Sequence, residues 1–265
     1  MYPQIEIFGR TVGSYGLCAL AGFTVCFIVA AFLSRKEKVS FEDLILLFLS
    51  VGGGMLLGGH LLFGITQTKL IIESFSLIGR IPFGKVILRI AACFGGSVFY
   101  GGFLGGLLAI FLFTRFSKFI RFHFALDLYA VLTPLFHVFG RVGCFLGGCC
   151  YGKESHWGFL IEKNPLNPSI VGVVRIPVQL LEAGCNLLIF AFLLILFFRE
   201  KHRNHLIDWY LFLYPVSRFI LEFYRGDEIR GHIWLFSTSQ WISMTLFTVA
   251  LIRFVSKGRN GKKNH

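Results

Sequence analysis

Long apolar runs dominate this chain, in place of the short amphipathic repeats of a soluble protein. A run of about 20 apolar residues is long enough to cross a bilayer as an α-helix. The pattern predicts seven such helices, over residues 11–33, 41–65, 86–113, 122–142, 176–198, 206–224 and 233–254. The third run is longer than a bilayer requires, so we expect its helix to tilt or to break at its glycines. The prediction is therefore an all-α, polytopic integral membrane protein with a single transmembrane domain over residues 1–265.

Composition supports a membrane protein and excludes two other classes. Hydrophobic residues make up 55% of the 265 residues and charged residues 15%, with 32 Phe against 14 Asp and Glu. Ordinary soluble domains carry about 25% charged residues, so a disordered chain and a cytosolic globule are both excluded. The net charge of +12 first suggests nucleic acid. However, the basic residues are spread over short loops without a basic and aromatic groove pattern, so no nucleic-acid partner is predicted.

The distribution of basic residues predicts the orientation in the membrane. One set of connections holds 14 Lys and Arg in 35 residues, and comprises 34–40, 114–121, 199–205 and the tail 253–265. The alternate set holds 9 in 71 residues, and comprises 1–10, 66–85, 143–175 and 225–232. Because cytoplasmic loops are enriched in Lys and Arg, the first set is predicted to be cytoplasmic. The N-terminus then lies outside, the C-terminus lies inside, and the long loops 66–85 and 143–175 are extracytoplasmic.

Three arginines fall inside the predicted spans: Arg89, Arg141 and Arg218. Arg89 lies near a span end, where its long side chain can reach the interface. Arg141 and Arg218 lie deeper, where even a lenient insertion scale assigns a cost of about 2.5–3.5 kcal/mol. Such residues normally face the interior of the helix bundle and pair with an anionic group. Both are therefore candidates for a functional site.

Two interpretations of these arginines remain open. Glu222 follows Arg218 by four residues and Arg225 follows Glu222 by three, so the three share one helical stripe. Asp127 and Glu182 are further candidate partners. An internal salt-bridge network would only hold the helices in register. Alternatively, the two arginines bind an anionic lipid headgroup, since guanidinium matches phosphate bidentately and stays charged when desolvated.

Glycines cluster in pairs and triplets along the predicted spans. Small residues let transmembrane helices approach closely, and this packing role explains most of them. The segment 99–106, FYGGFLGG, also carries the polar Tyr100, so it is the best candidate for the wall of a cavity.

Three of the seven cysteines lie together in GRVGCFLGGCCYG, at positions Cys144, Cys149 and Cys150. Zinc sites favour C-x₂-C spacings with a second ligand pair, and these are absent, so no metal site or cofactor is predicted. A disulfide or a reactive thiol facing outward remains an alternative. The chain also lacks the usual hydrolase, metalloprotease and nucleotide-binding motifs.

Five motifs, in order along the chain, resemble those of the bacterial phosphatidylglycerol–prolipoprotein diacylglyceryl transferases. These motifs are SYGL (14–17), GGSVFYGGFLGG (95–106), FGRVGCFLGGCCYG (139–152), RIPVQLLEA (175–183) and SRFILEFYRGD (217–227). Members of this family are seven-span enzymes of the bacterial inner membrane, with the orientation predicted above. The resemblance covers most of the chain, from about residue 13 to residue 245.

The resemblance implies a reaction and a set of site residues. These enzymes move diacylglycerol from phosphatidylglycerol to the lipobox cysteine of a prolipoprotein signal peptide, releasing glycerol phosphate and forming a thioether. Arg141 and Arg218 match the family's two essential arginines, which implies that they clamp the phosphate. Tyr15 matches a functional tyrosine near the headgroup, and Glu222 and Arg225 match supporting charges.

Three positions depart from the family pattern. Tyr100 stands where the family has histidine, Cys144 where it has asparagine, and Cys149 where it has glutamate. Tyr100 is retained as a catalytic candidate, although a tyrosine of pKa about 10 is a poor resting base. The headgroup site therefore carries over better than the groups that activate the thiol. Two alternatives follow: a divergent transferase with another acceptor, and a non-enzymatic lipid-binding or transport protein.

Overall fold

Helices make up most of the chain, as predicted. The computed structural model describes residues 1–37, 39–117, 119–165, 168–199, 203–227 and 232–263. The helices are α1 (Ser14–Ser34), α2 (Phe41–Thr66), α3 (Thr68–Ser76), α4 (Phe83–Ala92), α5 (Phe99–Phe116), α6 (Phe122–Gly147), α7 (Val178–Phe198), α8 (Leu206–Glu222) and α9 (Thr238–Lys263). The strands are β1 (Gln4–Ile7), β2 (Arg10–Gly13), β3 (Glu154–Leu160), β4 (Val174–Arg175), β5 (His232–Ile233) and β6 (Phe236–Ser237). They pair as three antiparallel two-stranded sheets, β1 with β2, β3 with β4 and β5 with β6.

Six helices of the described chain are long and apolar enough to cross a membrane: α1, α2, α5, α6, α7 and α9. The prediction of an all-α polytopic membrane protein is thereby confirmed. Helix α8 coincides with the predicted sixth span but has only 17 residues. It also carries three charged residues, Asp208, Arg218 and Glu222.

Several predicted span boundaries differ from the structure. Helix α6 continues to Gly147 instead of ending at 142, so the connection predicted over 143–175 begins later, and α9 continues to Lys263 instead of ending at 254. The first and last runs begin too early, because residues 10–13 and 232–237 form strands before α1 and α9 start. The first strand pair turns at Phe8 and Gly9, whose φ angles of 50° and 73° suit a tight hairpin. The third run breaks, as its glycines suggested, and residues 93–98 separate α4 from α5.

The chain divides into two compact units, which we describe separately: residues 1–32 with 127–265, and residues 33–126. In the first unit α8 packs against both α7 and α9. Aromatic pairs join α8 to α9, with ring centroids of Phe212 and Phe247 5.0 Å apart. Over half of the apolar window of α6 is buried, against 17–39% for the other five spans. Helix α6 is therefore the most deeply buried span, and it carries Arg141.

In the second unit, glycines allow the backbones of α2 and α5 to touch. A Cβ atom at Gly58 would lie 2.3 Å from the carbonyl oxygen of Gly101, and one at Gly105 would lie 2.1 Å from that of Gly54. These four residues form two small-xxx-small pairs, the pattern that permits close helix packing in membranes. The hypothesis that segment 99–106 lines a cavity is therefore wrong for Gly101 and Gly105, which face α2.

This packing predicts that Gly58→Leu destabilises the protein. A leucine side chain cannot fit against the α5 backbone, and overpacking of this kind costs about 1–3 kcal/mol. We expect a lower unfolding temperature in detergent, measured by the loss of folded monomer on heating. Gly53→Leu is the matched control, because a Cβ atom there meets nothing within 4 Å. Equal stability of the two variants would contradict the proposed packing role.

Candidate active site

Two buried arginines from different helices converge on one carboxylate. Arg141 of α6 donates a hydrogen bond from Nη2 to Oε1 of Glu182 in α7, over 2.7 Å. Nη1 of Arg218, in α8, lies 3.9 Å from the other carboxylate oxygen, Oε2. The exposed fractions are 7% for Arg141, 1% for Glu182 and 2% for Arg218. The two arginines that the sequence singled out therefore lie on either side of Glu182.

The predicted stripe along α8 continues this charged cluster. Arg218 forms an ion pair with Glu222 and donates to Ser239 Oγ over 3.3 Å. Nε of Arg225 lies 3.9 Å from Glu222 Oε2. Nε and Nη2 of Arg225 also donate hydrogen bonds to the two carboxylate oxygens of Asp227, over 2.8 and 2.5 Å. The expected order of charges, Arg218, Glu222 and Arg225, is thus confirmed as a chain of ion pairs.

Some guanidinium donors in this cluster remain unused. In the described part of the chain, Arg141 Nε and Arg218 Nη1 are buried and have no hydrogen-bond partner. A buried donor without a partner costs about 1–3 kcal/mol or more when the group is charged. An anion bound here could accept from these N–H groups and remove that cost. The cluster therefore resembles a binding site more than a closed salt-bridge network.

Two polar residues of this cluster were not singled out as site residues. From the sequence, Glu182 is only one of several possible partners for the arginines, and His137 is not predicted to take part. His137 Nε2 lies 3.7 Å from Glu182 Oε1, and its ring is 5.4 Å from that of Tyr214. The signal was present, since His137 precedes Arg141 by four residues, one turn of the same apolar helix.

Asp127, the other candidate partner, has a different role. Its carboxylate accepts hydrogen bonds from the backbone N–H groups of Asn204 at 2.6 Å and Leu206 at 3.2 Å. These bonds satisfy donors at the start of α8, where the helix itself offers no acceptor. The hypothesis that Asp127 pairs with the arginines is therefore wrong.

Tyr15 lies on α1 beside α6. A Cβ atom at Gly143 would lie 3.1 Å from Tyr15 Cδ2, so the tyrosine packs over a glycine two residues from Arg141. About half of the Tyr15 side chain is exposed. This location is compatible with a contact to a lipid headgroup.

Tyr100 and Arg89 belong to the second unit, whereas the charged cluster belongs to the first. Tyr100 is the second residue of α5 and is half-buried, with its ring in edge contact with Phe99 at 5.7 Å. Arg89 lies in the last turn of α4 and is exposed, as expected for an arginine at a helix end.

The three clustered cysteines meet at the end of α6. The Sγ atoms of Cys144, Cys149 and Cys150 all lie within 4.8 Å of one another. A tight turn brings them together, with φ angles of +73° at Gly148 and +57° at Cys150. The neighbouring thiols of Cys144 and Cys149, together with the positive charge of Arg225, lower the pKa of the Cys150 thiol.

Comparison with known proteins agrees with this geometry. A sequence model of the family described as prolipoprotein diacylglyceryl transferase matches residues 4–256. The chain belongs to this family. It is 32% identical over 263 residues to phosphatidylglycerol–prolipoprotein diacylglyceryl transferase 2 of Clostridium perfringens, covering 97% of this chain and 96% of the relative. It is 33% identical to the transferase of Clostridium tetani, covering 94% of each. The transferase of Campylobacter jejuni is 28% identical, with coverage of 94% and 91%.

Residues of the segment RIPVQLLEA (175–183), one of the motifs that resemble the family, contact both the cysteine loop and the arginine cluster. Arg175 stacks on the ring of Tyr151 at 4.7 Å and donates to the Gly152 carbonyl oxygen over 3.2 Å. Gln179 donates to the Cys149 carbonyl oxygen over 2.7 Å. Glu182, one turn later, binds Arg141. Residues from this motif therefore hold both the cysteine loop and the arginine cluster.

Proposed function

We propose that this chain transfers the diacylglyceryl group of phosphatidylglycerol to the lipobox cysteine of prolipoproteins, the first step of bacterial lipoprotein maturation. The observation that carries this proposal is the convergence of Arg141 and Arg218 on Glu182, with guanidinium N–H groups still unused. Curated relatives that match nearly the whole chain are named for this activity. No cofactor is needed to supply the leaving group, because glycerol phosphate leaves from the phosphodiester of the lipid itself.

In this proposal the two arginines bind the phosphate of the lipid. Guanidinium groups donate in a planar fork that matches phosphate oxygens, and they keep their charge in a desolvated site. The acceptor thiolate attacks the glyceryl carbon, a carbon–sulfur bond forms, and the carbon–oxygen bond to phosphate breaks. The electron pair leaves with glycerol phosphate, so negative charge develops on an oxygen that Arg141 and Arg218 stabilise.

The other residues of the cluster have supporting roles. Glu182 orients both arginines, and Glu222 and Arg225 extend the ion-pair chain that holds Arg218 in place. Tyr15, which packs beside Gly143, donates a hydrogen bond from its hydroxyl to the headgroup. Buried charges cost several kcal/mol each in desolvation, so the balanced carboxylates make it feasible to keep three arginines inside.

Tyr100 is proposed as a further catalytic residue, whose hydroxyl forms a hydrogen bond with a substrate. We expect Tyr100→Phe to lower the transfer rate, because a hydrogen-bond donor and acceptor is lost while the ring contact with Phe99 is kept. Tyr100→His introduces the residue that the family has here and should retain activity. Single-turnover rates with a fluorescent prolipoprotein peptide measure both. Equal rates for Tyr100→Phe and the unmodified protein would remove Tyr100 from the site.

We place the enzyme in the bacterial inner membrane as one multi-pass domain with seven spans, α8 included. The proposed orientation, with the N-terminus outside and the C-terminus cytoplasmic, is supported by the density of Lys and Arg in the connections. Reporter fusions within residues 66–85 and 199–205 test it, since the two segments should report opposite sides. Loops 66–85 and 143–175 would then face outward, where lipid and signal peptide meet.

The function is tested by complementation and by reconstitution. The protein should sustain growth of a bacterium depleted of its own transferase. The purified protein should add diacylglyceryl mass to a prolipoprotein when phosphatidylglycerol is present. Failure of both would reject the proposal.

Cys149 stands where the family pattern has glutamate. This difference supports one other candidate function, a transferase with the same lipid donor and another acceptor. Mass spectrometry of lipids and proteins after overexpression separates the two, because each acceptor would carry a diacylglyceryl adduct. A protein that only binds lipid would release no glycerol phosphate.

A further inference from the structure

The loop after α6 folds so that three cysteine side chains lie close together, as the ligands of a metal site do. Cys144 is in the last turn of α6, and Cys149 and Cys150 follow the positive-φ turn at Gly148. The backbone N–H of Cys149 donates to the Cys144 carbonyl oxygen over 3.1 Å. The chain therefore folds back on itself and brings three thiols to one point.

The spacing of the thiols suits a single thiophilic ion. Zinc binds thiolate sulfur at about 2.3 Å, which places the sulfurs of a tetrahedral site about 3.8 Å apart. The three Sγ atoms, all within 4.8 Å of one another, need only small side-chain rotations to reach this spacing. Three protein ligands leave one coordination position open, the arrangement that is typical of catalytic rather than structural zinc.

Contacts outside the cluster hold the loop in this shape. Gln179 binds the Cys149 carbonyl oxygen at 2.7 Å. The loop also pairs with the segment after α8, with Gly226 donating to Tyr151 over 3.0 Å and Lys153 donating to Tyr224 over 2.9 Å. A preformed set of ligands with fixed surroundings is what high metal affinity requires.

Charge in the surroundings complements the site. Three thiolates and a divalent ion carry one net negative charge. The positive charge of Arg225 acts on Cys150, and Arg141 lies one turn before Cys144 on the same helix. These cations offset that charge. They also place the cluster next to the proposed headgroup site.

We propose that Cys144, Cys149 and Cys150 bind one zinc ion, whose open position takes the thiol of the acceptor cysteine; the second part rests on the proposed function. A metal-bound thiol is deprotonated, and thiolate is the nucleophilic form. The proton passes to water, the sulfur attacks the glyceryl carbon, and glycerol phosphate leaves with the electron pair of the broken carbon–oxygen bond.

Metal binding is tested on the full-length protein in detergent, independently of activity. We expect close to one zinc per chain by elemental analysis, and a thiolate-to-metal charge-transfer band after cobalt substitution. Cys144→Ser, Cys149→Ser and Cys150→Ser should each lose the band. Cys93→Ser is the matched control, because the Cys93 thiol donates to the Arg89 carbonyl oxygen of its own helix, and serine can do the same. Absence of bound metal, or a disulfide among the three thiols that persists on metal loading, would overturn the site.

The open position is tested by adding a lipobox peptide to the cobalt protein. The cobalt spectrum should shift on addition of the cysteine peptide and stay unchanged with its serine counterpart. A bound metal whose spectrum does not respond would overturn the role in acceptor binding. If the spectrum shifts but no diacylglyceryl transfer is measured, the metal site stands and the proposed function fails.

Discussion

An Arg141→Lys protein should fold normally and lose about 10²–10³-fold in its rate of diacylglyceryl transfer. Lysine keeps the positive charge that Glu182 requires, so the ion pair between α6 and α7 survives. It lacks the planar fork and the Nε donor that Arg141 leaves unused in the described chain. The measurement is release of glycerol phosphate from phosphatidylglycerol, together with the rise in unfolding temperature that this lipid produces.

The matched control is Arg89→Lys, at an exposed position in the last turn of α4. This variant should retain both the rate and the stabilisation by lipid. If Arg141→Lys also retains both, the arginines form only a salt-bridge network that holds helices in register. Loss of the lipid effect in a protein that is otherwise as stable as the unmodified one would instead establish headgroup binding.

Glu182→Leu should produce the largest loss of stability of any single change in the cluster. Removing one partner of a buried ion pair costs about 3–5 kcal/mol, because the other charge is left buried without compensation. Here one carboxylate faces both Arg141 and Arg218. We expect a sharply lower yield of folded protein and a lower unfolding temperature in detergent.

Glu154→Leu provides the comparison for Glu182→Leu. Glu154 also pairs with an arginine, Arg175 at 3.0 Å, but two thirds of its side chain is exposed. Exposed pairs contribute about 0–1 kcal/mol, so this variant should lose little stability. Adding Arg141→Leu to Glu182→Leu should recover part of the loss, since one unpaired charge is removed. Similar stability of the two single variants would show that Glu182 does not balance the arginines.

Several elements followed directly from local sequence. The apolar runs predicted α1, α2, α6 and α7 to within a few residues at most ends, because hydropathy and helical hydrogen bonding are properties of the segment itself. The charges at 218, 222 and 225 were predicted to share a stripe because helical spacing alone determines it. The starts of α1 and α9 were predicted too early, since a hydropathy profile does not separate a short strand from the helix that follows it.

Contacts between distant segments could not be predicted in the same way. Asp127 and Glu182 both looked like partners for the arginines, and only the fold assigned one to backbone donors of α8 and the other to Arg141. Likewise, the glycines near Tyr100 suggested a cavity. The close approach of α2 showed that Gly101 and Gly105 serve packing instead.

By itself, the sequence determined that the chain is a polytopic membrane protein, that two arginines in its apolar helices need an anionic partner, and that its motifs resemble one enzyme family. The first two conclusions rest on the cost of burying charge and backbone in hydrocarbon, which depends on residue type alone, and the third rests on the order of the motifs. Only the tertiary structure decided which carboxylate lies between the arginines and whether the three cysteines meet. The spacing of the cysteines argued against a metal site, but a turn with positive φ angles brings their sulfurs within 4.8 Å of one another. Distances between side chains depend on how the chain folds back, which spacing along the sequence does not specify.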